Sequence, residues 1–275
     1  MLRQHLIKKK AGVKGIRWRL HEPTRIEALT DSVFAFAVTL IVISLEVPQT
    51  FKELIYSMQG FFGFAICFTM LMLIWYEQYL YFRKYGLQDL KTIFLNAVLL
   101  FIVLFYVYPL KFLFGFLTLG NSATDASGNV IYRFTTNEQI SQLMIIYGCG
   151  FVAIYLVFLL MYRNAYKNSE KIKLNDLEVF NTITNIYDKL AMIGIGIFSI
   201  ALSLVGIYLN PWFGMYAGIS YAMIAPALAI LHSKRKKIMM KKFTQEEIDQ
   251  ISDEIVIIET KNNVSKENPA EELYP

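Results

Sequence analysis

Residues 25–48 read RIEALTDSVFAFAVTLIVISLEVP. Arg25 opens the stretch, and Thr30-Asp31-Ser32 follow within two turns. From Val33 to Leu45 every residue is apolar except Thr39 and Ser44. An apolar run of this kind is a membrane helix. A carboxylate leading into such a helix is costly to desolvate, so it faces a protein interior or a water-filled path. A helical wheel puts Ser32, Phe36, Thr39, Ile43 and Glu46 on one stripe, at steps of three and four. That stripe carries hydroxyls at two depths and a carboxylate at its far end. A plainer reading uses the same residues: Asp31 caps the helix and Thr39 bonds the carbonyl four residues back in its own helix. Residue types alone leave both readings open.

Outward from this stretch, the chain of 275 residues is 55% hydrophobic and 15% aromatic, which excludes an ordinary soluble domain and implies a polytopic membrane protein. Apolar runs of span length cover residues 29–47, 54–76, 93–117, 140–162, 190–209 and 212–231. The last two are separated by Asn210-Pro211, which makes a tight hairpin. The expected fold is all-α, with six transmembrane helices. Basic residues alternate with the spans. Lys8, Lys9, Lys10, Arg17 and Arg19 precede the first. Arg83, Lys84 and Lys91 follow the second, Arg163, Lys167, Lys171 and Lys173 follow the fourth, and Lys234 to Lys237 follow the sixth. The loops between are poor in Lys and Arg, including the polar 118–139. This pattern puts both termini in the cytoplasm.

The expected organisation is a basic cytoplasmic segment (1–24), a six-helix membrane domain (25–232), a basic linker with an amphipathic helix (233–260), and a disordered tail (261–275). The amphipathic helix rests on the Thr244-x-x-Glu247 capping pattern and on Ile248, Ile251, Ile255 and Ile258. The tail is polar. The basic segments suit anionic lipid headgroups rather than nucleic acid. The first 20 residues lack a cleavable signal, so the first span serves as the uncleaved one. The location expected is a cell (inner) membrane.

Cys67 and Cys149 fall inside apolar runs, which argues against a disulfide framework. His5, His21 and His232 lie outside the apolar spans, so a buried histidine metal site is not expected, nor any cofactor. No nucleophile–base pair or phosphate-binding Gly loop supports an enzyme. Gly148-Cys149-Gly150 reads as a packing notch. The Thr-Val-Gly-Tyr-Gly filter of ordinary potassium channels is absent. Gly194, Gly196, Ser199, Ala201 and Ser203 suit close helix packing, and Pro226 should kink the last span.

The opening stretch resembles the first helix of the transmembrane protein 175 family of potassium-permeable channels. That family's signature is Arg-x-x-x-Phe-Ser-Asp followed by an aliphatic helix with a Thr. Here it reads Arg25-Ile-Glu-Ala-Leu29-Thr30-Asp31, with Thr39-Leu40 in register. Leu29 and Thr30 replace the family's Phe and Ser. Trp75 matches a family Trp, and Gln78 stands where a His follows it three residues later. Gln donates and accepts but does not charge, so a pH response carried by that His is not expected. Leu95-Asn96 and Pro109 also match. The match covers the first three spans; the last three agree in hydropathy.

The resemblance implies a homotetramer whose first helix lines a central pore permeable to K+. The constriction position falls on Phe36, where the family has an aliphatic residue, and the Thr position on Thr39. Asp31, Gln78 and Asn96 lie at one depth and should form a polar cluster that clamps the first helix. Arg25 and Asp31 should act in assembly or gating. From other classes, a secondary transporter would need discontinuous helices or paired repeats, and a non-conducting scaffold would need only packing.

Overall fold

The computed structural model describes residues 16–19, 22–43, 61–124, 130–209 and 212–244, with isolated positions between 50 and 58 and at 247 and 250. Lys8 to Lys10, Ser44, Glu46, the Asn210-Pro211 turn and the tail from 251 lie outside the described residues, as do most of the positions carrying the expected amphipathic helix.

Seven helices are described: α1 (Arg25–Ile43), α2 (Phe61–Tyr85), α3 (Leu90–Leu119), α4 (Asn137–Lys167), α5 (Asp176–Tyr208), α6 (Trp212–Ser220) and α7 (Ile224–Lys242). A 3-10 turn, Tyr221–Met223, joins α6 to α7. Among the described residues, five stretches are long and apolar enough to cross a membrane: α2, α3, α4, α5 and α6–α7 taken as one. The protein is a helical, multi-pass membrane protein. The one departure from an all-helical chain among the described residues is a short antiparallel pair, Ser122–Thr124 with Val130–Tyr132, in the polar 118–139 loop.

Helix bounds differ from the apolar runs for a physical reason. Helix α2 runs on through Glu77, Gln78, Arg83 and Lys84, and α5 begins at Asp176, well before its apolar part. Hydropathy marks the lipid-facing portion of a helix; the polar continuations stay helical because protein neighbours satisfy them. Helix α1 starts where Thr24 and Glu27 form a capping box: the Glu27 amide donates to Thr24 Oγ1 at 3.3 Å, and the Thr24 amide donates to Glu27 Oε2 at 2.8 Å. Asn175 and Glu178 do the same for α5.

Helices α1, α2 and α3 pack on one another, and α4 and α5 form the most extensive helix pair. Gly150 allows α3 to approach α4, since a Cβ there would stand 2.3 Å from the Tyr106 ring; it is the packing notch that its sequence suggested. On α5, Gly196, Ser199 and Ser203 are buried while Gly194 and Ala201 are not. Pro226 sits in the first turn of α7. Lacking an N–H and crowding the carbonyl four residues back, it breaks the span at 221–223 rather than bending it smoothly. Cys67 and Cys149 are free thiols.

Candidate functional site

Helix α1 has two faces. Thr30, Phe34, Ala37 and Ile41 are buried, at steps of four and three, against α2 and α3. Leu29, Ser32, Phe36 and Thr39 are exposed, with Leu29 at 59% and Phe36 at 55%. The described part of the expected stripe, Ser32, Phe36 and Thr39, thus lies on the face of α1 that the described residues leave uncovered. Glu46 and the side chain of Ile43 lie outside the described residues. Ser32 and Thr39 donate their hydroxyl protons to their own helix, to Ala28 O at 2.9 Å and Phe36 O at 2.7 Å. Each oxygen keeps its lone pairs for an acceptor role on the exposed face.

The buried face ends in a polar lock. Gln78 of α2 and Asn96 of α3 are 1% and 2% exposed. Gln78 Nε2 donates to Asn96 Oδ1 and, at 3.1 Å, to Thr30 Oγ1. Asn96 Nδ2 donates to the same oxygen at 3.0 Å, and that hydroxyl donates to Ile26 O at 2.8 Å. Thr30 Oγ1 therefore uses its full capacity of one donation and two acceptances.

Asp31 is not a member of this lock, contrary to the expected Asp31–Gln78–Asn96 cluster. One residue on a helix is a turn of about 100°, and that turn aims Asp31 at Trp75, whose Nε1 donates to Asp31 Oδ1 at 2.7 Å. Thr30 takes the inward place. Trp75 in turn stacks on Tyr79, 5.7 Å between centroids. Asp31 thus holds a neighbouring helix rather than merely capping its own. Arg25 is exposed at the start of α1.

Several charged groups escaped the sequence reading. Glu27 is buried, caps α1 and lies 3.8 Å from Arg83 Nε; the Thr24-x-x-Glu27 pattern was the available signal. Glu77 reads as a solvated neighbour of Trp75, yet it pairs with Lys189 at 2.7 Å and accepts from Tyr162 Oη at 2.7 Å. Asp188 faces His232 at 3.2 Å. Arg19 donates to both Glu178 carboxylate oxygens, at 3.0 and 2.7 Å, and to the carbonyls of Lys84, Ile172 and Lys173. Arg235 lies over the Phe180 ring at 4.1 Å. Residues 16–19 and the end of α7 therefore both rest on the first turns of α5, at one end of the bundle. No sequence spacing announces contacts between segments so far apart. No cluster of metal-ligating groups occurs among the described residues.

Comparison with known proteins bears on these helices. The family model described as "Endosomal/lysosomal potassium channel TMEM175" matches residues 25–106, which are α1, α2 and the first half of α3. A protein named "Potassium channel" from Marivirga tractuosa is 40% identical over 219 residues, spanning 78% of this chain and 87% of its own length. This chain belongs to the TMEM175 family. A second relative, a potassium channel from Chamaesiphon minutus, is 28% identical over 114 residues, 38% of this chain and 56% of its own. The fold agrees as well. A crystal structure of the potassium channel MtTMEM175, a threonine-to-alanine variant in complex with a nanobody–MBP fusion protein, superposes with a TM-score of 0.70 at 39% identity, covering 81% of this chain and 97% of that one. An alignment of 219 residues reaches past α3, so the TMEM175 likeness extends beyond the first three spans to which the sequence motifs confined it.

Proposed function

We propose that this protein is the protomer of a potassium-permeable cation channel, in which four copies of α1 surround a central path. The observation that carries the reading is the division of α1. One face is locked into its own protomer by Thr30, while Ser32, Phe36 and Thr39 on the other are exposed, with no covering element among the described residues. In a closed ring each protomer presents the same face to the axis. The rings of Phe36 form a hydrophobic constriction that closes by dewetting. The oxygens of Thr39, one turn further, replace part of the hydration shell of K+, and no carbonyl filter is used. Arg25, Leu29 and Asp31 begin the exposed face and act in assembly and gating.

The relatives named as potassium channels support this reading. Six spans with cytoplasmic termini fit it too: α1 is the sixth span beside the five apolar stretches, and residues 16–19 share one end of the bundle with the end of α7. That end carries exposed Lys234, Lys236, Lys237, Lys241 and Lys242, suited to anionic lipid of an inner cell membrane at about 1 kcal/mol per residue. A transporter reading would draw on the break between α6 and α7, but Pro226 accounts for that break locally.

Reconstitution of the purified protein in potassium-loaded vesicles tests the proposal. Potassium efflux and a tetrameric mass in detergent are expected; a monomeric mass, or vesicles that hold their potassium, would overturn it. Vesicles with and without anionic lipid, compared for binding of a peptide spanning 232–244, test the lipid contact, and equal binding to both would remove it.

A further inference from the structure

Lys111 lies on α3, within an apolar stretch long enough to cross a membrane. An ammonium at that depth is expensive unless it has a partner, and such residues mark functional contacts. Its Nζ donates to the backbone carbonyl of Ile41 at 3.3 Å, in the last described turn of α1. Beside it, Cys67 Sγ of α2 contacts Leu110 O at 3.6 Å, which ties α2 to α3 at the same level. Thr30 is held by α2 and α3 at the other end of α1. The two attachments are 11 residues apart, about 16 Å along a helix. Phe36 and Thr39 lie between them.

We propose that Lys111 is a positioning residue for the conduction path: it pins the far end of α1 to α3, so that Thr30 and Ile41 together fix where Phe36 and Thr39 stand. The inference rests on the channel reading above. Without the pin the polar holds on α1 all lie near Thr30, and beyond it Phe34, Ala37 and Ile41 are kept by apolar contacts alone, which are non-directional; a shift hinged at Thr30 then grows along the helix. Thr39 lies much further along the helix from Thr30 than Val33 does, so a pivot moves it more than the residues near the lock. A side-chain oxygen that replaces hydration must be held in place to discriminate between ions of different radius. Loss of the pin therefore acts on selectivity, which a contact serving stability alone would leave unchanged.

The test compares the parent protein with Lys111→Met and Lys111→Arg in vesicles, reading potassium and sodium efflux separately. Lys111→Met, near in length but without a donor, is expected to shift the potassium-to-sodium flux ratio by about threefold or more, within the usual range for substitutions that modulate a distant site. Lys111→Arg restores the parent ratio. A parent without potassium flux would sink the channel reading itself. A conducting parent with an unchanged ratio in Lys111→Met would overturn this inference alone. Should Lys111→Met fail to assemble, Lys111→Gln, one bond too short to hold Ile41 O directly, is read by the same criterion. Failure of both to assemble would make Lys111 a stability contact and overturn the proposal.

Discussion

The Thr39 hydroxyl donates to the carbonyl of Phe36 at 2.7 Å, so two neighbouring residues of the exposed face of α1 are also bonded to each other. The bond resolves an opposition in the sequence. A threonine that bonds back to its own helix reads as a local matter, and one that meets an ion reads as functional. Here the proton goes inward and the lone pairs stay outward, so the local bond leaves room for the proposed ion contact.

Thr39→Val keeps the shape and removes the oxygen. The expected result is a loss on the order of 1 kcal/mol in the preference for potassium over sodium, roughly fivefold in the ratio of fluxes. Thr39→Ser keeps the oxygen and should stay near the parent. Reversal potentials in asymmetric potassium and sodium solutions give the ratio directly.

Phe36→Ala opens the neck. A ring of large apolar side chains expels water when narrow, and removing the rings lowers that barrier. Efflux from vesicles should rise severalfold. An unchanged rate at equal protein density would show that the neck is elsewhere on α1.

Asn96→Leu removes the donor to Thr30 and the acceptor from Gln78 at once. Thr30 keeps its bonds to Ile26 O and Gln78, and Gln78 keeps its bond to Thr30, so each loses one bond in a buried site, at a cost on the order of 1 kcal/mol apiece. Thermal melting in detergent should fall by several degrees. The Asn96→Leu/Gln78→Leu double variant should be less destabilised than the two single effects added together, because one mutation has already broken the contact the other removes. Strict additivity would mean that the lock is not a unit.

Asp89 gives a pH dependence. It lies between α2 and α3, outside the spans. Burial raises its carboxyl pKa, but hydrogen bonds from Thr92, Asn164 and backbone amides outweigh that and hold it below the ordinary value of 3.8. A depressed carboxylate contributes stability that is present above the unfolded pKa and is lost as pH falls through the folded one. The melting temperature should therefore drop on acidification below 3.8, and Asp89→Asn should flatten that drop. Parallel melting curves for the two proteins over this range would remove Asp89 as the cause.

Much of this architecture was legible in advance, in uneven measure. The depth of Gln78 and Asn96 followed from counting along apolar runs, and the two do meet. The phase of α1 was half legible. Ser32, Phe36 and Thr39 do share a face, but Asp31 and Thr30 exchanged roles because an apolar helix gives little to fix its rotation. The start of α5 was not read, although Asn175-x-x-Glu178 is a capping pattern: Asp176 to Lys189 mixes polar with apolar residues, and its charged side chains are met by Arg19, Glu77 and His232, partners that are remote in sequence. Lys111 stood out as the one charge in the 93–117 run, but its partner was not legible: the acceptor is a backbone carbonyl, which any residue could supply.

Arg19 and Glu178 are 159 residues apart. A chain made from its N-terminus carries Arg19 long before Glu178 exists to receive the guanidinium. The acceptors of Arg19 on Arg83 and Lys84 are made early, whereas those at 172–178 come only with the start of α5. Helix α1 can therefore settle against α2 and α3 first, while the segment that leads into it gains its carboxylate partner only from a helix made later in the chain.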